Sequence, residues 1–188
     1  MTAALTKRRF TVDEYHRLAE VGILTETDRV ELIDGEIVEM TPVGSRHASV
    51  VKRLNALLTG RLGARAIVSV QDPIQLSKES EPQPDVVLLR PTPDFYAGSH
   101  PEPVDTLLLI EVADTSLSYD RGVKLPRYAA ARVIEVWIVD LAGDAVEVYR
   151  TPVPDGYRDV VRVPRGGSLS PVTFADLTLG VDEILGPR

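Results

Sequence analysis

The sequence lacks cysteine and any long apolar run, and each absence excludes a class of protein. Without cysteine the chain has no disulfides, no thiolate zinc sites and no cysteine nucleophile. A transmembrane helix needs about 20 consecutive apolar residues, so we expect no membrane association. The first ten residues are basic without the apolar stretch of a secretory signal peptide. A cytoplasmic protein is the expectation.

Aromatic residues and positive charge are also scarce. Aromatics make up 5% of the chain, which leaves little surface for stacking sugars, so a glycosidase with paired carboxylates ranks last among the candidate functions. The net charge of −7 argues against coating nucleic acid by bulk electrostatics, because phosphate binding depends on Lys and Arg. The stretch 45–71 nevertheless has no acidic residue. Its basic residues form either a solvated helix surface or a nucleic-acid-binding face that includes Arg46, Lys52 and Arg53.

The first third of the chain predicts a helix, a hairpin and a second helix. Thr11 and Glu14 form a capping-box pattern at the start of a helix over 12–21. Two β-prone runs, 29–33 and 36–40, are joined by Asp-Gly, which is typical of a tight hairpin turn. Ser45 is expected to cap a second helix, which carries one apolar stripe and ends before Gly63.

The remainder of the chain is richer in strands. The runs 86–89 and 107–110 are continuously apolar, which indicates strands buried on both faces of a sheet. With 188 residues the chain has room for one core, so we expect a single domain over 1–188. Its predicted class is α/β (α+β), with a central mixed β-sheet flanked by helices and an N-terminal helix and hairpin. Further predicted elements are strands 66–70 and 74–76, a loop 90–104, a helix 120–132 with Pro126 inside it, a hairpin 134–139 and 145–150, an edge strand 157–163 and a helix 174–185.

Two carboxylates stand at the ends of the buried strands. Asp85 precedes the run 86–89, and Glu111 directly follows the run 107–110. If the strands are neighbours, the two carboxylates can converge, and a hard divalent cation such as Mg²⁺ would relieve their repulsion. The alternative interpretation is that each one caps a strand end or pairs with an arginine.

A predicted helix after Glu111 adds a cation. Asp120, Lys124 and Tyr128 are spaced by four and therefore share one helix face. A lysine on that face could orient an attacking water or stabilise charge on a phosphate. The alternative is a surface ion pair between Asp120 and Lys124, which contributes only about 0.3–0.5 kcal/mol.

The histidines show no metal-binding spacing along the chain. His16, His47 and His100 are scattered, so no zinc-hydrolase motif is present. We expect His16 on a helix surface and His100 in a loop, and only His47, in the first turn of a helix, is expected near a catalytic site. Trp137 alternates with apolar neighbours in a strand and is interpreted as packing.

Several short motifs follow one another along the chain. They are Glu31-Leu-Ile-Asp-Gly-Glu36, Thr41-Pro42 with His47, Pro84-Asp85-Val86, Leu109-Ile-Glu111-Val112, Asp120 with Lys124 and Tyr128, and Glu135-Val-Trp137-Ile-Val-Asp140. Taken in order, these motifs resemble the Uma-family proteins of the PD-(D/E)XK restriction-endonuclease superfamily over about residues 10 to 185. The resemblance rests on the ordered set, since no single motif is specific.

The resemblance implies a restriction-endonuclease-like fold, often assembled as a homodimer, that cleaves nucleic acid with Mg²⁺ or Mn²⁺. Asp85, Glu111 and the Val112 carbonyl would hold the ion. The superfamily lysine usually stands two residues after the acid, where this chain has Ala113, so Lys124 would replace it. Other residues that match the family and would line or support the cleft are Glu31, His47, Asp120 and Tyr128.

Two functions follow from this sequence. The first is a Mg²⁺-dependent endonuclease with DNA as its substrate. The second is a weak or inactive module of the same fold that acts in nucleic-acid binding or protein assembly. The second is favoured by the acidic net charge and by two departures from the family pattern, Pro126 and the stretch Arg132-Val-Ile-Glu-Val-Trp137.

Overall fold

A mixed sheet with strand order β3-β4-β5-β6-β7-β8 forms the centre of the computed structural model, which describes residues 7–25 and 27–187. In this sheet β5 and β6 are parallel, and the other neighbours are antiparallel. Two short hairpin-like pairs, β1 with β2 and β9 with β10, lie outside it. The strands are β1 Val30–Ile33, β2 Glu36–Glu39, β3 Ile67–Val70, β4 Val86–Leu89, β5 Thr106–Ala113, β6 Glu135–Asp140, β7 Ala145–Val153, β8 Gly156–Pro164, β9 Ser168–Leu169 and β10 Leu179–Gly180.

Helices cover both faces of the sheet. One face packs against α2 and α5, and the other packs against α4. Every residue of β4 and β5 is buried, which confirms the interpretation of their continuous apolar runs. The helices are α1 Val12–Glu20, α2 Ser45–Leu62, α3 Leu117–Tyr119, a π-helix Asp120–Lys124, α4 Leu125–Ala130 and α5 Val181–Leu185.

The predicted helix ends of the first third are confirmed except for the Ser45 cap, because Gly44 is the N-cap of α2 and Ser45 is its first helical residue. Thr11 and Glu14 form both hydrogen bonds of the capping box at the start of α1. At the end of α2, Gly63 has a φ of +53°, a conformation that glycine adopts without steric cost. The Asp34-Gly35 turn joins β1 to β2 with positive φ at both positions, as a primed hairpin turn requires.

The predicted strand 74–76 is wrong. Ile74 is buried, but its N–H donates to the carbonyl of Pro82 at 3.0 Å, so the segment between β3 and β4 folds back on itself. Pro73, Pro82 and Pro84 supply no N–H donors. A segment with this many prolines cannot extend a sheet ladder, which explains its irregular path.

The predicted C-terminal helix 174–185 is mostly wrong. Only Val181–Leu185 is α-helical. The residues before it form a short 3₁₀ helix over Val172–Phe174 and the short strand β10, in which Leu179 pairs with Leu169. The apolar side chains are buried as an amphipathic helix would bury them, but pairing with β9 satisfies the backbone instead.

The predicted helix 120–132 begins earlier and changes type along its length. It starts at Leu117, widens into the π-helix and ends as α4 at Ala130. Pro126 falls in the first turn of α4, where a missing N–H is best tolerated. None of the described helices has the length and apolar character that a bilayer crossing needs. The single-domain assignment over 1–188 stays a prediction.

Candidate active site

A cleft of about 350 Å³ lies where the β1–β2 hairpin, the start of α2, the end of β5 and the π-helix meet. Tyr128, buried in α4, lies beneath it. Most of the residues that the sequence assigned to a site line this cleft. These residues are Glu31, His47, Asp85, Glu111, Val112, Asp120 and Lys124.

The antiparallel pairing of β4 with β5 brings the two strand-end carboxylates together. Val86 pairs with Ile110, so Asp85 and Glu111, one residue beyond each, become neighbours. The Asp85 N–H lies 3.4 Å from Glu111 Oε2, and the Val112 N–H donates to Asp85 Oδ2 at 2.8 Å. Each carboxylate is thus tied to the other strand's backbone, which fixes the pair at one edge of the sheet.

Glu111 is buried and is held mainly through one oxygen. Its Oε1 accepts hydrogen bonds from Lys124 Nζ at 3.1 Å and from the Tyr128 hydroxyl at 2.5 Å. Burial raises the pKa of Glu111 to about 8, against the lowering effect of the Lys124 charge, and the nearby charges of Asp120 and Asp85 add to the rise. Without an ion the site therefore favours the neutral form of this carboxyl, and a bound cation would favour its charged form.

Lys124 is a buried cation between two glutamates. Its Nζ lies 3.1 Å from both Glu31 Oε2 and Glu111 Oε1. Burial alone would lower the pKa of Lys124, but the carboxylates around it, Glu111 first, raise it above its usual value. The alternative of a surface pair between Asp120 and Lys124 is wrong, because both residues are buried and the short contacts of Lys124 are to the glutamates.

The π-helix sets the direction of Lys124. The N–H of Leu125 bonds to the carbonyl of Asp120, five residues earlier, and such wider turns occur often at functional sites. Asp120 is also buried, and its Oδ2 accepts a hydrogen bond from Ser116 Oγ at 2.6 Å. Burial raises the pKa of Asp120. The helix face predicted from the spacing of four thus lies against the cleft.

His47 lies beside Asp85 in the first turn of α2. Its Nε2 is 3.0 Å from Asp85 Oδ2, and this hydrogen bond raises the pKa of His47. Its Nδ1 is buried and has no hydrogen-bond partner among the described residues. One ring nitrogen orients Asp85, while the other is available to a ligand or a water.

Sequence reasoning missed Gln71, Gln83 and Tyr119, which hydrogen-bond to carboxylates of the site. Gln71 Nε2 donates to Asp85 Oδ1 at 3.2 Å. Glu31 accepts hydrogen bonds from the Gln83 N–H at 3.1 Å and from the Tyr119 hydroxyl at 3.3 Å. Gln83 stands two residues before Asp85 and could have been included on that ground. Tyr119 carries no such signal, because its contact with Glu31 joins residues that are 88 positions apart in the chain.

The basic residues of α2 are not brought to the cleft. Arg46 donates to the carbonyl of Leu141 at 2.7 Å and lies 3.5 Å from Asp144. Arg46 and Arg53 line a separate cavity of about 520 Å³ on another side of α2. Lys52 is exposed. Any contact of these residues with nucleic acid would lie outside the carboxylate cleft.

Comparisons with known proteins show the family and the fold of this chain. The family model Uma2, described as "Putative restriction endonuclease", matches residues 12–182. The chain belongs to the Uma2 family. This confirms the family that the ordered motifs indicated. A search of curated proteins found no match to this chain.

A solved structure shares the fold of this Uma2 protein. It is the crystal structure of a putative nuclease belonging to DUF820 from Anabaena variabilis, with a TM-score of 0.67 and 15% sequence identity. The match covers 94% of this chain and 97% of that one. The restriction-endonuclease-like α/β fold, with a mixed sheet between helices, is therefore confirmed.

The departures from the family pattern have structural explanations in this Uma2 protein. Arg132 lies two residues after α4 with a φ of +65°, and the strand that follows buries Glu135 and Trp137 completely. Trp137 Nε1 donates to Glu135 Oε1 at 2.9 Å. Trp137 is a packing residue, as the sequence indicated, and this stretch does not line the cleft.

Proposed function

We propose that this protein is a metal-dependent endonuclease that hydrolyses phosphodiester bonds of DNA, with Mg²⁺ as its ion and Mn²⁺ as a substitute. Membership of the Uma2 family supports nuclease activity. The observation that carries the proposal is the position of Asp85 and Glu111, adjacent at the end of two paired strands with Lys124 held at 3.1 Å from Glu111.

The carboxylate pair fits a hard divalent cation. Asp85 Oδ1 has a contact with Gln71 at 3.2 Å, and Glu111 Oε2 has a long contact of 3.4 Å with the Asp85 N–H. Both oxygens thus keep acceptor capacity toward the cleft, and carboxylate oxygens are the ligands Mg²⁺ prefers. We assign the ion to Asp85, Glu111 and the Val112 carbonyl. When bound, it would polarise the scissile phosphate and lower the pKa of a water.

Lys124 acts in this proposal as a fixed positive charge. Two carboxylates at 3.1 Å in a buried setting favour the ammonium form. An ammonium group donates hydrogen bonds and accepts none, so Lys124 orients the attacking water or stabilises charge on the phosphate and does not remove a proton. Glu31 and Glu111 hold it in place from two sides, and Tyr128 donates to the same oxygen of Glu111.

The usual superfamily lysine position does not need a lysine here. Ala113 lies two residues after Glu111 and is buried on the same face of β5, in the cluster that contains Tyr128. Lys124 approaches Glu111 from the helix that covers this face. We propose that the crossover connection supplies the charge that other superfamily members place at the strand end.

His47 and Asp120 act as positioning residues. His47 holds the Asp85 carboxylate at 3.0 Å. Asp120 is fixed by Ser116 and adds negative charge beside Lys124. Neither needs to touch the scissile phosphate to affect the rate, because both act on the groups that do.

Contacts with the nucleic-acid backbone are assigned to Arg46, Lys52 and Arg53 on α2. Arg46 is already bonded to Leu141 and Asp144, so we assign most of the phosphate contacts to Lys52 and Arg53. Replacing Lys52 and Arg53 by alanine should weaken DNA binding and reduce its salt dependence, since each lost phosphate contact reduces the slope by about 1. An unchanged slope would remove α2 from the proposed interface.

The homodimer and the cytoplasmic location that the resemblance implies are also proposals. Sedimentation of the purified protein tests the first, and a single monomer species over the working concentration range would contradict it. Cell fractionation tests the second.

The direct test of the proposed function is a cleavage assay. Wild-type protein is incubated with plasmid DNA, linear DNA and RNA in Mg²⁺, Mn²⁺ or EDTA, beside Asp85→Asn. Asp94→Asn is the matched control, because Asp94 is an exposed carboxylate in the loop between β4 and β5. We expect metal-dependent DNA cleavage that Asp85→Asn abolishes and Asp94→Asn leaves intact. Equal cleavage by wild type and Asp85→Asn would show that the nuclease is a contaminant.

The second candidate, a module that binds without cutting, is favoured by one observation. Glu31 and Glu111 together neutralise the Lys124 charge, so little of that charge remains to stabilise a phosphate during cleavage. DNA binding without cleavage in every metal tested would support this candidate and contradict the endonuclease.

A further inference from the structure

Glu81 is a buried carboxylate outside the cleft described above. It lies in the segment between β3 and β4, and its N–H donates to the carbonyl of Leu32 in β1 at 2.7 Å. The side chain is 2% exposed. Its Oε1 lies 2.7 Å from His16 Nε2, whereas its Oε2 is buried and has no hydrogen-bond partner among the described residues. An unpartnered buried carboxylate oxygen indicates a bound water or ion.

A second histidine completes a group around this carboxylate. The rings of His16 and His100 meet edge to face with their centroids 5.6 Å apart. Within the described residues, one ligand atom each from His16, Glu81 and His100 forms a group of three in which all the atoms lie within 4.8 Å of one another. The three residues are far apart in the sequence, which is why their spacing along the chain gave no signal.

We propose that His16, Glu81 and His100 form a second metal site, specific for a divalent transition metal of the zinc class. Two imidazole nitrogens and a carboxylate are ligands that Zn²⁺ accepts, with a water at the fourth position. Ligand atoms around a tetrahedral zinc ion lie about 3.3 Å apart, so small side-chain rotations suffice. The all-oxygen ligands of the cleft favour Mg²⁺, and the two sites therefore differ in the ion they select.

The hydrogen bond between His16 and Glu81 does not by itself explain the arrangement. It satisfies Oε1 only, and it gives no role to His100. A metal ion would use the free carboxylate oxygen and the second imidazole together. His16 is part-exposed and His100 is exposed, so an ion can enter from solvent.

A metal ion bound at this site would link three segments that do not belong to the central sheet. His16 belongs to α1, Glu81 to the segment before β4, and His100 to the proline-rich loop between β4 and β5. The backbones are already held close, with the Val12 N–H bonded to the Lys78 carbonyl at 2.8 Å and the Gln75 N–H to the Pro101 carbonyl at 3.0 Å. An ion bound only in the folded state stabilises that state by mass action.

The experiment measures zinc binding by untagged, EDTA-treated protein, through calorimetry and the thermal unfolding midpoint. The variant is His100→Gln, which is exposed and should fold. The matched control is His47→Gln, the same change at the remaining histidine. We expect one zinc equivalent and a raised midpoint in the wild type and in His47→Gln. Removing hydrogen-bond partners of metal ligands costs 10–100-fold in affinity, so loss of a ligand should cost at least about 100-fold in His100→Gln.

Nuclear magnetic resonance of the imidazole groups gives an independent result, because the chain has only three histidines. Zinc should shift the ring resonances of His16 and His100 and leave those of His47 unchanged. A response confined to His47, or loss of zinc binding in His47→Gln but not in His100→Gln, would place the ion at the nuclease cleft and overturn the proposal. Absence of any zinc-dependent rise in the midpoint would overturn it as well.

Discussion

Two buried glutamates on the neighbouring parallel strands β5 and β6 have opposite surroundings. Glu135 is bonded through both oxygens: Arg150 and Trp137 donate to Oε1, and the Val172 N–H donates to Oε2 at 2.6 Å. Glu111 has strong donors on Oε1 and only a long contact on Oε2.

The difference teaches how to distinguish a structural carboxylate from a candidate ligand when both are buried. Glu135 has a full set of donors, including the arginine that balances its charge, and none of its oxygens faces the cleft. Glu111 is surrounded by Asp85 and Asp120 as well as by Lys124, so repulsion remains. Burial alone does not mark a functional residue, whereas an incompletely bonded oxygen at a cleft does.

The largest effect is expected from Glu111→Gln. Loss of this charge removes a proposed metal ligand, and metal-ion catalysis contributes several kcal/mol, so the cleavage rate should fall by about three orders of magnitude. The free energy of unfolding should change by less than about 1 kcal/mol, because repulsion with Asp85 and Asp120 is relieved as the Lys124 pair is weakened. Cleavage kinetics and denaturant unfolding measure the two quantities. Strong destabilisation of this variant would show that Glu111 stabilises the fold, as Glu135 does, and would contradict the distinction.

Glu135→Gln should instead lower the stability of the protein and leave its cleavage rate unchanged. The change removes the carboxylate that pairs with Arg150. It also places an amide NH₂ group, which is a donor, among the N–H donors that bond to Glu135. The free energy of unfolding should fall by about 2 kcal/mol, as measured by denaturant titration. Cleavage per folded molecule should match the wild type at a temperature where the variant is fully folded. Loss of activity in folded Glu135→Gln would contradict the distinction between the two glutamates.

A smaller effect is expected from Tyr128→Phe. This change removes only the hydroxyl that donates to Glu111 Oε1 at 2.5 Å, and Lys124 remains bonded to the same oxygen. A net hydrogen bond contributes about 1 kcal/mol, so the cleavage rate should fall by about five- to tenfold, with the KM for DNA unchanged. Tyr157→Phe is the matched control, since the Tyr157 hydroxyl bonds to the Val133 carbonyl away from the cleft. Equal losses in both variants would indicate a general effect on folding.

Strand and helix patterns predicted the parts of the site that lie at element ends. Asp85 and Glu111 were found because each adjoins a continuous apolar run, and pairing of those runs brings them together. Lys124 was found from its spacing to Asp120 and Tyr128 and from the family motifs. These signals come from residues that are close in the sequence. Such signals predict the structure correctly where a helix or strand is regular.

The irregular parts could not be predicted in the same way. The path between β3 and β4 depends on which carbonyls accept its N–H groups, so the position of Glu81 could not be predicted. The contact of Tyr119 with Glu31 joins residues that are 88 positions apart in the chain. His16 and His100 are brought together by packing between segments that are distant in the sequence. Residue spacing and composition cannot predict such packing.

The single parallel pair in the sheet has a consequence for how the molecule is built. Antiparallel neighbours can be joined by short turns, whereas β5 and β6 need a crossover, here residues 114–134, and contacts of such sequence separation form slowly during folding. That crossover carries Asp120, Lys124 and Tyr128. We therefore expect the pairing of β5 with β6 and the assembly of the cleft to occur together during folding. Lys124 would become buried only when these two strands have paired.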